Sequence, residues 1–355
     1  MTEGRLLFSV ILPVRNGEAS LLERALKSVA TQTYPYYEIL LIDDGSDAEH
    51  AKMLDTLAEE DKHIRLFHID HSGVSVARNF AAKRALGDIL TYLDADDALS
   101  PVCFEEAADL FRNSDIDALW GGTLYVTDGQ LRDLLCSASS IKAHSSKELQ
   151  NLTVRLNPER IHQTRAECIG EPYRFENGGY INRGIAARML RKRVFSEEGC
   201  LFPEGIRMYE DAIWNLTMLK SLNVCYVRSV WYYYYENDAS ASNKYNPDIL
   251  EVMEVPVMQI RSIMDLNDPL EYTAYTRLVM DSLRYVYKCL YGNPLWDGGY
   301  DEHVSLKQHI YSQMPWKEIG TYRFITSASG KDWKKAVLFK MHLLFLYWKI
   351  VWKNM

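Results

Sequence analysis

Over the first 125 residues, short apolar runs alternate with amphipathic stretches. Residues 7–12 (LFSVIL), 37–42 (YEILLI), 64–69 (IRLFHI) and 89–93 (ILTYL) are dense in β-branched, aliphatic and aromatic side chains and predict buried strands. Between them, residues 18–31, 47–61 and 75–86 have helical spacing, with Leu22, Leu26 and Val29 on one face of the first. Strand and helix in turn predict an α/β fold: a Rossmann-type βαβ parallel sheet, with ligands in the crevice at the carboxyl ends of the strands.

After a further strand and turn near 117–129 the rhythm breaks. Residues 130–178 mix polar runs without a clear period and read as an insertion. Residues 184–195 read as partly helical, followed by a loop at Phe202-Pro203-Glu204-Gly205, a helix near 209–222 and a strand near 223–234. From Pro247 onward the pattern predicts helices, interrupted near Gly292-Asn293-Pro294 and Gly298-Gly299. The expected division is a sheet domain over 1–245 and a helical region over 246–355, and no internal repeat is evident.

A chain of 355 residues exceeds the usual domain of roughly 100–200 residues, so one large domain or two packed ones are expected. Its 47% apolar and 25% charged residues are globular values. The net charge of −8 argues against a general nucleic-acid binder, which needs clustered Lys and Arg. Residues 331–355 nevertheless carry six Lys against Asp332, a local +5 that leaves the preceding residues at −13. Six cysteines (Cys103, Cys136, Cys168, Cys200, Cys225, Cys289) lie far apart with no C-x-x-C pair, as expected of reduced thiols in a cytosolic protein. The N-terminal apolar run, stopped by Pro13, is too brief for a signal peptide, and no run reaches 18 apolar residues, so no membrane span is expected.

The strand ends hold the candidate chemistry. The first runs into Pro13-Val14-Arg15-Asn16-Gly17, without the G-x-G-x-x-G of a dinucleotide site. The second ends in Asp43-Asp44-Gly45-Ser46, where a carboxylate beside a turn glycine can accept hydrogen bonds from a base imide or a ribose hydroxyl, or simply cap a helix. Gly73-Val74-Ser75-Val76-Ala77-Arg78-Asn79 opens a helix and either aims Arg78 into the crevice or leaves it solvated. The fourth strand ends in Asp94-Ala95-Asp96-Asp97, three carboxylates in four residues. Such a cluster repels itself unless a cation neutralises it, and hard oxygen ligands favour Mg²⁺ or Mn²⁺. The alternative is an acidic helix N-terminus. Glu210-Asp211 likewise fits either a helix cap or a base that takes a proton from a hydroxyl. There is no H-E-x-x-H zinc pattern and no G-x-S-x-G nucleophile elbow.

In this order the pieces resemble the family-two glycosyltransferases of the GT-A fold. The stretches SVILPVRNGEASLLERALKSVATQTYPYYEILLIDDGS and GVSVARNFAAKRALGDILTYLDADD carry the resemblance, and LFPEGIRMYEDAIWNL with VWYYYYENDASAS extends it more loosely. It implies transfer of a sugar from a nucleotide-sugar, most simply a UDP-sugar, to a hydroxyl of a saccharide or lipid-linked acceptor, with inversion. Pro13, Val14, Arg15, Asp44, Arg78 and Asp94 would line the nucleotide pocket, Asp44 facing a uracil. Asp94 and Asp96 would hold the Mn²⁺ or Mg²⁺, and Asp211, beside Glu210, would be the general base. Arg15 stands where relatives often have an aromatic residue, and Tyr235 where a basic one often follows. The context implied is bacterial surface polysaccharide or lipooligosaccharide assembly, with residues 130–178 on the acceptor side. Ser240 and Ser242 are open candidates for the diphosphate.

The alternative from another class is a catalytically silent, membrane-associated sugar-nucleotide-binding or scaffold protein. At 100° per residue Lys331, Lys335, His342, Lys349 and Lys353 share one side of a helix, so 331–355 reads as one basic amphipathic helix. It would contact an anionic membrane at the inner face of the cell membrane, or pack on the protein or on a second copy to give a homo-oligomer. The Tyr232–Tyr235 run reads as a core or crevice-edge strand before it reads as a sugar platform.

Overall fold

The apolar runs at 7–12, 37–42 and 89–93 become strands enclosed on both faces, as a parallel sheet covered by helices requires, while 64–69 forms the partly covered edge. The computed structural model describes residues 5–136, 140–156, 158–170, 172–176, 179–181, 184–195, 200–235, 245–296 and 298–352. The chain opens with β1 (Phe8–Val14), α1 (Ala19–Ala30), β2 (Tyr37–Asp44), α2 (Ala48–Glu60), β3 (Ile64–Ile69), α3 (Val74–Arg84) and β4 (Ile89–Tyr92). It continues through β5 (Ala98–Leu99), α4 (Cys103–Arg112), β6 (Ala118–Val126), α5 (Asp128–Cys136), α6 (Ser146–Leu152), β7 (Thr153–Arg155) and α7 (Pro158–Ile169). Then come β8 (Arg188–Arg191), α8 (Lys192–Phe195), α9 (Glu210–Ser221) and β9 (Val224–Tyr235). The rest is helical: α10 (Ile249–Ile263), α11 (Pro269–Val286), α12 (Tyr300–Ser312), α13 (Tyr322–Ser327), α14 (Asp332–Lys340) and α15 (Leu344–Trp352).

Two compact units result, and neither is continuous in sequence. The first comprises Met1–Asn157, Pro172–Gly205 and Thr217–Asn237; the second comprises Pro158–Glu171, Ile206–Leu216 and Asp238–Met355. The helical unit thus draws two short stretches out of the span read as one sheet domain.

Among the described residues all nine strands belong to the first unit, in the order β3-β2-β1-β4-β8-β6-β9-β5, with β7 on β9. Strands β1 to β4 pair in parallel as the alternation predicts, while β8 runs antiparallel between β4 and β6. β6 and β9 pair in parallel, so their carboxyl ends lie together. The core joins Phe8, Val10 and Leu12 of β1 and Ile39 and Leu41 of β2 to the predicted α1 face, Leu22, Leu26 and Val29. Five described cysteines are free thiols and buried.

Two expectations need correction. Residues 130–178, read as aperiodic, carry α5, α6 and α7 where they are described, and β7 pairs antiparallel with β9 as part of the sheet. β7 and α6 are short, and α6 announces itself only by its capping box, Ser145 with Glu148. The tail is likewise not one helix. It breaks between α14 and α15, where His342 adopts φ 60°, so the lysine stripe projected on a continuous helix does not form. Lys353 lies outside the described residues.

In the second unit α7 is tied to α11 through buried Glu271, whose carboxylate meets His162 Nδ1 at 2.5 Å and Arg165 at 3.2 Å. The tail packs within this unit. Phe339 and His342 lie 4.4 and 4.0 Å from the Tyr311 ring, and Phe345 and Trp348 lie against Tyr287.

Candidate active site

The carboxyl ends of β1 and β2 are fastened together before any ligand is considered. Pro13 and Val14 remain in β1, opposite Ile42 and Asp43 of β2. The chain then turns at Asn16, which holds a left-handed φ of 48° that Asn tolerates better than most residues. Its N–H donates to Ser46 Oγ at 2.9 Å, and its side-chain oxygen accepts from the Asp47 N–H at 3.0 Å. Arg15, next to this turn, is exposed.

Asp43 and Asp44 are strand residues, both buried, and each takes a histidine partner from the β3 side. Asp43 accepts from Ser46 N–H at 2.9 Å and meets His68 Nδ1 at 2.7 Å, while Asp55 approaches the other His68 nitrogen at 3.2 Å. Burial pushes the Asp43 carboxyl up, but the bonds from Ser46 and His68 outweigh it and leave it below its ordinary value. The bond to Asp43 raises His68 against a smaller opposing effect of burial, with Asp55 adding to the rise. Asp44 meets His71 Nδ1 at 3.0 Å and accepts the N–H groups of Ser72 and Gly73 at 2.7 and 3.0 Å. It therefore holds the loop that opens α3. The turn needs glycine at 45, where φ is 70° and a Cβ would sit 2.6 Å from the His71 nitrogen.

Arg78 is not a solvated surface residue. It is buried on α3, its guanidinium 3.1 Å from Asp94 Oδ1 and over the Phe202 ring at 5.1 Å. Asn79 next to it exchanges hydrogen bonds with the Phe202 backbone at 2.9 and 3.0 Å, which anchors the Phe202-Pro203-Glu204-Gly205 loop.

The acidic turn after β4 divides its three carboxylates between two jobs. Asp97 is buried and accepts the Tyr232 hydroxyl at 2.7 Å and the Tyr235 N–H at 2.8 Å, while Tyr232 in turn accepts the Asp94 N–H at 3.2 Å. Burial, then the charges of Asp94 and Asp96, push the Asp97 carboxyl well above the ordinary range. Asp96 is partly exposed and is raised by burial and then by Asp94. Asp94 and Asp96 thus form a crowded anionic pair facing outward, while Asp97 ties the turn to β9. Among the described residues no three His, Cys, Asp or Glu converge on a metal-sized space.

Sequence reasoning did not find Arg24, because no local pattern connects α1 with residue 96. Its guanidinium donates to the Asp96 carbonyl at 2.8 Å, pairs with Asp128 at 3.1 Å and lies 4.3 Å from the Tyr235 ring centroid. Arg24 thus places a cation over Tyr235.

Glu210 and Asp211 open α9 and belong to the second unit, both partly buried. Tyr209, just before them, holds φ at 64°, a strained conformation for a bulky side chain that fixes where the helix begins. Its hydroxyl meets Ser282 Oγ of α11 at 3.3 Å. Ser240 and Ser242 lie outside the described residues.

Known proteins resemble this chain in both sequence and fold. The profile of Glycosyl transferase family 2 matches residues 9–185. The chain is 26% identical over 214 residues to the uncharacterized glycosyltransferase EpsJ of Bacillus subtilis, covering 60% of this chain and 56% of that protein. It is 24% identical over 244 residues to the uncharacterized glycosyltransferase YibD of Escherichia coli, covering 66% and 62%. The matched stretches thus span less than two thirds of either relative. In fold, the chain resembles residues 1–349 of S. aureus TarS in complex with UDP-GlcNAc, with a TM-score of 0.60 at 17% identity over 98% of this chain and 92% of that one. No described helix is long and apolar enough to cross a membrane.

Proposed function

This chain belongs to glycosyl transferase family 2 and has the GT-A fold, and on that premise we propose that it moves a sugar from a nucleotide-sugar, UDP-linked in the first instance, to a hydroxyl of a saccharide or lipid-linked acceptor, with inversion. The observation that carries the proposal is the outward-facing pair Asp94 and Asp96 at the end of β4, with Asp94 oriented by buried Arg78. Two neighbouring hard carboxylates, one of them raised by burial and then by the charge of the other, fit Mn²⁺ or Mg²⁺, an ion that completes its shell with phosphate oxygens and water. Such an ion, when bound, would supply Lewis-acid stabilisation of the departing diphosphate. The solved TarS complex with UDP-GlcNAc supports the choice of a uridine nucleotide.

In this reading the chain's own residues do the remaining work. Pro13, Val14, Arg15 and Asp44 line the base and ribose side, and Asp44 also keeps the loop before α3 in position. Asp211 takes the proton of the acceptor hydroxyl as that oxygen attacks the anomeric carbon, and Glu210 stands beside it in the same helical turn. A single displacement inverts the anomeric centre and needs no covalent nucleophile. The exposed Leu346, Tyr347 and Ile350 of α15, in a stretch rich in lysine, would rest on an anionic membrane surface carrying a lipid-linked acceptor.

The test is hydrolysis and transfer with UDP-, GDP- and dTDP-sugars in Mn²⁺. Chelator-sensitive turnover that Asp211→Asn abolishes is the expected result. Full activity in excess chelator removes the metal from the reading, and tight nucleotide binding without any turnover favours a silent sugar-nucleotide-binding protein.

A further inference from the structure

Beside the acidic turn, three tyrosines from separate parts of the first unit form a continuous aromatic surface. Tyr125 of β6 and Tyr234 of β9 are register partners in the parallel pair, so their side chains emerge side by side at the carboxyl ends of those strands. Their rings meet edge to face, with centroids 5.0 Å apart at 78°. Tyr180 stacks under Tyr125 at 4.9 Å and 17°, and its own backbone is bonded both ways to Thr123 at 2.8 and 3.0 Å. Behind Tyr180 lies the Arg174 guanidinium, 5.9 Å from the ring centroid.

The buried member holds the exposed ones still. Tyr180 is 4% exposed, whereas Tyr125 and Tyr234 are 52% and 37% exposed, although rings of that size are ordinarily turned inward. Tyr234 lies between Tyr233 and Tyr235, and Asp97 grips both Tyr232 and the Tyr235 N–H. Burial, followed by the charges of Asp97, Tyr125, Asp96 and Asp94, pushes the Tyr234 hydroxyl up to about 12. The rings are therefore within the electrostatic reach of the acidic turn. They are also three and four strands from β1 in the sheet, away from the loops read as the base pocket.

We propose that Tyr125 and Tyr234, backed by Tyr180, are the acceptor subsite, on which the C–H face of a pyranose ring of the acceptor saccharide stacks. The proposal rests on the glycosyl-transfer reading and adds the residues that choose the acceptor. A pyranose has one apolar C–H face and a rim of hydroxyls. Rigid rings with polar tips beside carboxylates complement both, at little cost in side-chain ordering. A protein partner would need a far larger apolar patch than these rings offer.

Saturation-transfer NMR with the methyl β-glycosides of glucose, galactose and N-acetylglucosamine, each with UDP in the same tube, tests it. The ring C–H protons of at least one glycoside should saturate with the parent protein. Tyr125→Ala should weaken that glycoside roughly fivefold or more. Tyr125→Phe, which keeps the ring, should retain it, and UDP should bind all three proteins equally. No glycoside signal with the parent, or an undiminished one with a folded Tyr125→Ala, overturns the proposal. Weakening of UDP together with the glycoside in Tyr125→Ala also overturns it, since the ring would then serve the donor. Absence of UDP binding in every protein refutes the nucleotide reading instead, and the glycoside signals still decide the platform.

Discussion

Replacing Asp96 and Asp97, adjacent and chemically identical, should have opposite consequences, because only one of them holds the fold. Asp97 accepts two buried donors on two different oxygens, Tyr232 Oη at 2.7 Å and Tyr235 N at 2.8 Å. An amide has one acceptor oxygen, so in Asp97→Asn one of these donors faces an NH₂ group. The Tyr232 hydroxyl cannot turn round freely, since it already accepts the Asp94 N–H. Losing such a bond costs about 1–3 kcal/mol, partly offset by relief of repulsion from Asp94 and Asp96. For a domain of roughly 150–250 residues that lowers the melting temperature by several degrees, at about 2–4 °C per kcal/mol. The Asp96 carboxyl is raised by burial and then by Asp94, against smaller opposing effects of its own backbone N–H and Arg24, so its charge opposes folding at neutral pH. Asp96→Asn should therefore melt at or above the parent temperature, yet lose transfer by about 10²-fold or more if it holds the ion. Calorimetry and metal-dependent donor hydrolysis on both variants decide the matter. An Asp96→Asn protein that melts several degrees lower, or an Asp97→Asn protein with unchanged stability, refutes this division of roles.

Three further outcomes follow from the geometry. His68 has a raised value in the fold, so its bond to Asp43 stabilises fully below the unfolded value of roughly 6.5 and is lost as pH rises through the folded value. Asp43, whose value is lowered, contributes above about 3.9 and fades as pH falls further. His68→Asn should therefore flatten the decline in melting temperature as pH rises above roughly 6.5, and parallel curves for parent and variant refute the coupling. Gly121→Ala would bring a Cβ to 2.3 Å from the Trp231 ring, whose indole N–H bonds to buried Glu106 at 2.7 Å. Overpacking and strain on that bond should cost about 2–4 kcal/mol, read as a lower urea midpoint, and an unchanged midpoint rejects the clash. Leu346→Glu with Ile350→Glu should abolish flotation with phosphatidylglycerol vesicles without lowering the melting temperature, as both side chains are exposed. Parent protein that does not float, or variant protein that still does, removes the membrane contact.

Strands β1 to β4 and helices α1 to α3 were legible because each strand is a short run dominated by apolar and β-branched residues and the α1 face repeats at helical spacing. Helices α5 and α6 escaped because 9 and 7 residues offer too few turns for a period to register, and α7, as long as α1, escaped because its few apolar residues form no continuous stripe. The break at His342 carries no Gly or Pro to mark it, and packing of Phe339 and Phe345 on the same Tyr311 imposes it from outside the local sequence. The same distinction runs through the site. Asp94, Asp96 and Asp97 stand out as a cluster, but nothing local separates the strut from the outward pair, since the Asp97 partner Tyr232 lies 135 residues away. Tyr125, Tyr180 and Tyr234 are unremarkable singly and converge only through strand register. Within the tyrosine run itself, burial separates Tyr232 and Tyr233 from the open Tyr234.

Depth of burial along one face of β9, where Tyr232 is enclosed and Tyr234 open, gives this unit a division that matters over evolutionary time. Tyr232 braces the acidic hairpin from within, and its exchange would disturb everything built above it. Tyr234, two positions on, is open and meets Tyr125 at the surface. Descendants can therefore retune which carbohydrate they recognise by swapping a single outward residue, while the machinery for handling charge is inherited intact.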